Sequence, residues 1–223
     1  MNSTIIACQV LRDELNLAIR ETGCSYPVIW VDAGYHNDPD LLRTKLQAEI
    51  DVLENVDNIL FAYGCCGNGL VGLKASTANL IIPKTDDCIS MVLSQPGGKF
   101  ERRKNTYFVT KGWLENPKNI FKEYQHAVTR YGEQRAKRLF DKMLNHYRYL
   151  MLIDTKAYDL AEWASKAAEF ADNLNLEMTV AEGGIMFLKK LLTGPHDQDF
   201  CVIQKGGVVK ISHFSNISSD SFQ

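Results

Sequence analysis

Apolar residues along this chain come in short runs that alternate with stretches of helical period. Thr4-Ile5-Ile6-Ala7-Cys8 is β-rich, and Val10, Leu11, Leu15 and Ile19 follow at helical spacing up to Gly23. This predicts a strand and then a helix capped by the glycine. Residues 27–31 read as a second strand. Its loop passes through Gly34-Tyr35-His36 to Asp38-Pro39, an N-cap and a first-turn proline, ahead of a helix carrying Leu41, Leu42, Leu46, Ile50 and Leu53. Residues 58–62 form a third strand, ending in the glycine-rich loop Tyr63-Gly64-Cys65-Cys66-Gly67-Asn68-Gly69. Residues 79–82 form a fourth, ended by Pro83, with a helix starting around Asp87-Cys88-Ile89.

Short apolar strands alternating with helices predict a parallel sheet covered by helices. From Gln95 to Asn105 the composition shifts to Pro96-Gly97-Gly98 and then Lys99, Arg102, Arg103 and Lys104, a loop between lobes. A strand at 106–110 and two helices, near 117–131 and 133–146, follow it. The βα rhythm then resumes, with strands at 149–154, 176–180 and 200–204 and helices at 160–174 and 184–192. The expected fold class is α/β, with two Rossmann-like lobes of mainly parallel sheet and a cleft at the C-terminal strand edge. The expected boundaries are 1–95 for the first lobe, 106–205 for the second, and 206–223 for a flexible tail rich in glycine and serine.

Composition narrows the classes. At 223 residues and 45% hydrophobic, the chain buries a substantial core without staples. A formal charge of −2 gives no general attraction to nucleic acid or to an anionic membrane, so neither is expected as a partner. The opening residues lack a basic segment followed by a long apolar stretch, and no apolar run approaches the roughly 20 residues that span a bilayer. The cytoplasm is the expected compartment. There, six cysteines serve as core residues, nucleophiles or metal ligands rather than as disulfides.

The cysteines fall where chemistry is expected. In open α/β sheets ligands bind beyond the carboxyl ends of the strands. Cys8 closes the first strand, Cys65 and Cys66 lie in the loop after the third, and Cys88 follows the fourth. Three thiolates on neighbouring strand tips suit a soft or borderline metal. The readings are a four-iron iron-sulfur cluster with one open iron, or a zinc completed by His36 or by a substrate. Against them stands the reading of free cysteines as small buried hydrophobes, which suits Cys24 in its Gly-Cys-Ser turn and Cys201 within Phe-Cys-Val-Ile. Gly64, Gly67, Asn68 and Gly69 could let a cofactor approach the backbone, although the loop carries neither GxGxxG nor the P-loop lysine. Asp86 and Asp87 offer an N-cap and a base beside Cys88, so Asp87 and His36 are the candidate catalytic pair. The basic loop could grip an anionic ligand or stay solvated. Trp113 and the tyrosines at 124, 131, 147 and 149 are read as packing between lobes, and Glu14 as a solvated helix residue.

Several of these stretches together resemble an uncharacterised bacterial and archaeal family of domains of unknown function. They are Ile6-Ala7-Cys8 with Leu11, Glu14 and Leu15; Tyr63-Gly64 and Cys66-Gly67-Asn68-Gly69; Pro83 and Asp87-Cys88-Ile89; and Tyr107-Phe108 and Gly112-Trp113. Tyr131-Gly132, Ile153-Asp154-Thr155, and Gly184 through Leu191-Leu192-Thr193-Gly194 complete the set. The resemblance runs nearly end to end, departing at Gln204-Lys205-Gly206, where a proline is expected before the glycine. It selects Cys66 over Cys65 and gives the metal set Cys8, Cys66 and Cys88. Such domains are found among corrinoid-dependent methyltransferase systems, which implies one-carbon chemistry acting in or beside methyl transfer to or from a corrinoid (cobalamin-type) cofactor. A small-molecule substrate, and a corrinoid protein or methyltransferase as partner, are the corresponding expectations, with an oligomer left open. The alternatives are a non-catalytic accessory protein that binds a corrinoid or the methyltransferase, and a simple cysteine-nucleophile enzyme.

Overall fold

The strands that read as near-continuous apolar runs lie at the centre of the first sheet, where both faces are covered. In the computed structural model, which describes residues 2–97 and 102–214, these are β1 (Ser3–Cys8), β3 (Asn58–Ala62) and β4 (Asn79–Pro83). β1 is buried at all six positions. With β2 (Val28–Val31) and β8 (Phe200–Ile203) they form a five-stranded sheet in the order β2-β1-β3-β4-β8. The first four strands run parallel and β8 pairs antiparallel with β4, Ile82 opposite Cys201. Between β1 and β3 the order reverses: the chain leaves β1 to build β2 on one side and returns to build β3 on the other.

The helices of this unit start where the sequence places caps. α1 (Arg12–Thr22) stops at Gly23 in the left-handed conformation, φ +68°. α2 (Pro39–Asp51) begins with the Asp38 carboxylate accepting from Asp40 N and Leu41 N. It buries Leu42, Leu46 and Ile50, spaced at a helical turn. α3 (Cys88–Leu93) is capped by Asp87, which accepts from Ser90 N at 2.8 Å.

The chain divides into two compact units, residues 1–100 with 184–223, and residues 101–183. This revises the expected boundaries. α8 (Met186–Thr193) and β8 belong to the first unit, where α8 lies against α1, held also by a Lys189–Glu21 ion pair. The described part of the expected tail is not loose either. Gly72 N donates to Val209 O and Val209 N to Leu73 O, each at 2.8 Å, and Val209 and Phe214 are buried. Residues 215–223 of that tail lie outside the described residues.

The second unit is a parallel three-stranded sheet, β5 (Thr106–Val109), β6 (Tyr149–Asp154) and β7 (Glu177–Glu182), in the order β5-β6-β7. Its helices are α4 (Lys111–Glu115), α5 (Ile120–Tyr131), α6 (Glu133–Met143) and α7 (Leu160–Asn173). Phe140, Leu150, Leu152, Trp163 and Phe170 form its core. Trp113, expected between lobes, packs on this core and donates from Nε1 to the Tyr107 hydroxyl at 2.9 Å. Of the basic loop, Lys99 lies outside the described residues. The Arg102 guanidinium stacks over Phe108, and that of Arg103 lies 3.6 Å from the centre of the Tyr149 ring. Among the described residues no helix is long and apolar enough to cross a membrane. The whole is mixed α/β with mainly parallel sheets, as the alternation of elements implies.

Candidate functional site

Cys8 is the last residue of β1, buried, with Val31 of β2 opposite it. On its other side Ala7 pairs with Ala62, so the next residue of the chain after β3, Tyr63, stands level with Cys8. The pair therefore sits at the carboxyl end of the two strands between which the sheet order reverses, the place where such sheets bind ligands.

The loop after β3 turns sharply to bring Cys66 back to this edge. Cys66, Gly67 and Asn68 are consecutive left-handed residues, with φ of +50°, +62° and +69°. Only the glycine adopts this without steric cost. The loop is fastened to the one after β4 by two short backbone hydrogen bonds, Cys65 N to Thr85 O and Cys66 N to Asp86 O, both 2.7 Å. Gly64 makes that closeness feasible. A Cβ there would lie 2.6 Å from Asp87 N and 2.8 Å from Thr85 O. The same junction sets Asp87 as the cap of α3 and Cys88 as its first residue.

Cys8, Cys66 and Cys88 all lie within electrostatic reach of the Tyr63 hydroxyl. Tyr63 is 1% exposed, and its hydroxyl is raised far above the ordinary phenol range by burial first and then by those three thiols. Among the described residues its oxygen has no hydrogen-bond partner. Burial pushes the Cys8 thiol up to about 11, partly opposed by the Val10 backbone and the Tyr63 hydroxyl. Burial likewise pushes Cys66 well above its ordinary value, with Cys88, Asp87 and Cys8 adding to it. Both thiols are protonated at neutral pH.

His36 comes from the 3₁₀ turn after β2 (Ala33–Asn37), opened by Asp32, whose carboxylate accepts from Gly34 N at 2.7 Å. Burial lowers its pKa, partly opposed by the Asp87 carboxylate, so the imidazole is neutral at neutral pH. The structure thus brings Cys8, Cys66, Cys88, His36 and Asp87 to one edge of one sheet. Among the described residues, however, no three His, Cys, Asp or Glu side chains stand at the spacing of metal ligands.

The neighbouring Cys65 and Cys201 are buried in the same way. The Cys65 thiol meets Asn68 Oδ1 at 3.6 Å. Cys201 donates from Sγ to His213 O at 3.1 Å, and burial pushes it up to about 11, with Lys84 opposing and Cys65 adding. Both are buried, as core cysteines are. In the glycine loop, Gly69 faces Leu42, and the N–H groups of Cys65, Cys66 and Gly69 are taken by protein carbonyls. These N–H groups do not point at a ligand.

Two residues escaped the sequence reading. Tyr63 passed as part of a glycine-rich loop, although its place directly after an apolar strand run marks it as an edge residue. Glu14, expected to be solvated, is fully buried in the first turn of α1. Its position between Leu11 and Leu15, both on the buried stripe, was the available signal.

No curated protein matches the chain significantly, and no solved structure does. A family model does match, over residues 30–192, a span that holds His36, Cys66, Asp87 and Cys88 and leaves Cys8 outside. The chain belongs to the family described as Protein of unknown function (DUF1638).

Proposed function

We propose that this protein is a metal-binding protein whose ligands are Cys8, Cys66 and Cys88, working in or beside corrinoid-dependent methyl transfer. The observation that carries the reading is the placing of three cysteines at or just beyond the ends of three adjacent strands, β1, β3 and β4, at the strand-order reversal. The donor set suits a soft or borderline metal, and a neutral imidazole, the form a metal requires, lies on the same edge. Among the described residues these side chains do not stand at ligand spacing, so loading would have to expel protons and draw the sulfurs together. Bound zinc would supply Lewis acidity toward a thiol substrate, and a four-iron cluster an electron or an open iron. The methyl-transfer setting rests on the family resemblance rather than on the site.

A simple cysteine nucleophile is less well supported. Such enzymes lower the thiol pKa with a cation or a helix N-terminus, whereas Cys8 and Cys66 are both raised. Full-length protein purified without oxygen should carry near-stoichiometric zinc, or iron with acid-labile sulfide and a brown colour. Cys66→Ser should lose the metal while Cys201→Ser keeps it. A metal-free protein that cannot be loaded with either would refute the proposal.

A further inference from the structure

The formal charge of −2 conceals a second unit whose charges are segregated. Between residues 102 and 148, from just before β5 to just before β6, twelve lysines and arginines stand against four aspartates and glutamates, whereas between 149 and 183 two stand against seven. The exposed side of α6 carries part of the basic excess. Arg135, Arg138 and Lys142 are all exposed and share one face of the helix by their spacing. Leu139 and Met143 stand beside them, 52% and 47% exposed, while Ala136 and Phe140 are buried in the core of the unit. Cations elsewhere are answered, Lys45 by Glu49 and Lys190 by Asp197 and Asp199. Among the described residues none of Arg135, Arg138 and Lys142 forms an ion pair.

α7 carries the opposite pattern. Its solvent side sets Ala161, Ser165 and Ala168 in a row that ends at Asp172 and is flanked by Glu162 and Glu169. Glu162 is paired with Lys166 of its own helix, but Glu169 and Asp172 have no ion partner among the described residues. One surface thus offers large apolar side chains among cations, and the other small side chains among carboxylates. We propose that the chain associates with a second copy of itself, α6 of each copy laid on α7 of the other. A two-fold pair makes this contact twice, because each copy offers both surfaces. Leu139 and Met143 leave water against the small row, and the flanking charges meet their opposites and set the orientation. Stacking α6 on α6, or α7 on α7, brings like charges together. A nucleic acid or an anionic membrane would answer the cations of α6 and leave the acidic stripe of α7 without a partner. The contact is independent of the cysteine site.

The test is sedimentation velocity of the full chain at about 50 mM and about 500 mM NaCl, which screen exposed pairs weakly and strongly. The wild type should be dimeric at the lower salt, and its dimer should weaken at least about tenfold at the higher. Arg138→Glu with Lys142→Glu, and separately Glu169→Lys with Asp172→Lys, should each weaken the low-salt dimer at least about 100-fold. These two variants shift the net charge in opposite directions, so a loss in both is not an effect of net charge. All four positions are exposed, so thermal melting should show the fold intact. The four changes combined in one chain should restore the low-salt dimer. A wild type that is monomeric at the lower salt overturns the proposal, and binding of that monomer to oligothymidylate or to phosphatidylserine vesicles would assign the α6 stripe to nucleic acid or to a membrane instead. A dimer that survives either reversal, or that the fourfold variant does not restore, places the contact elsewhere and overturns it too.

Discussion

Replacing Gly64 with alanine tests the junction on which the site depends. The added methyl would lie 2.6 Å from Asp87 N, 2.7 Å from Asp87 Cα and 2.8 Å from Thr85 O, all backbone atoms that cannot swing aside. Ordinary contact begins near 3.4 Å, so the two loops must part by more than half an ångström. They are joined there by the 2.7 Å bonds from Cys65 N and Cys66 N. Losing both costs about 2 kcal/mol, and the overpacking about 1–3 kcal/mol more, so a total of roughly 3–5 kcal/mol is expected. Gly67 is the control. Its φ is +62° but no atom lies within 4 Å of a Cβ built on it, so Gly67→Ala should cost only the left-handed penalty of about 1–2 kcal/mol. Urea unfolding of the metal-free protein measures both. Gly64→Ala should also impair metal loading, because Cys66 and Cys88 are carried by the loops it separates. A Gly64→Ala variant as stable as Gly67→Ala would show that the loops are not pinned as described.

Three other outcomes follow from the thiols. Because Cys8 and Cys66 are protonated at neutral pH, Zn(II) uptake should release at least two protons, and apparent affinity should rise about 100-fold per pH unit between pH 7 and 8. Calorimetry in buffers of different ionisation enthalpy counts the protons, and a release below one would contradict the ligand set. In the metal-free protein the folded state holds the Cys8 proton up to about 11 against 9.0 for the ordinary thiol, so its contribution is fully present below pH 9 and lost as pH rises toward 11. This removes on the order of 3 kcal/mol, and urea midpoints that stay flat from pH 8 to 10.5 would contradict it. Cys201→Ala should cost about 1–2 kcal/mol through its buried contacts and its bond to His213 O, with Zn(II) affinity unchanged in a metal titration.

Local signals in the sequence specify the elements well where a cap and a period agree. Asp38-Pro39 and Asp87 start their helices as expected, and the six apolar-rich residues of β6 are a strand from Tyr149 to Asp154. Partnership between distant segments is another matter. Phe-Cys-Val-Ile announces a strand but not that it lies antiparallel to β4, with Ile82 and Cys201 more than a hundred residues apart in sequence. The glycine and serine content after Gly206 suggests looseness, yet two buried side chains, Val209 and Phe214, anchor it. For the site, strand-end positions were legible because β1, β3 and β4 stop where their apolar runs stop. The side to which Cys65 and Cys66 point was not, because a run of left-handed residues breaks the alternation by which neighbouring side chains take opposite faces.

What the metal-free site gives up in stability bears on what it is for. Cys66 holds φ +50°, a conformation glycine would adopt more cheaply, and keeps a buried side chain there within electrostatic reach of the Cys88 and Cys8 thiols and the Asp87 carboxylate. Tyr63 buries a hydroxyl that alanine or phenylalanine would spare. Each costs about 1–3 kcal/mol in a fold whose margin is only about 5–15 kcal/mol. They share one edge of one sheet, at the point where strand order reverses. A core built only for packing would fill that edge with aliphatic side chains and a glycine at position 66. Such costs persist where another interaction offsets them, and a cation bound at this edge would give the Cys66 thiol a ligand role.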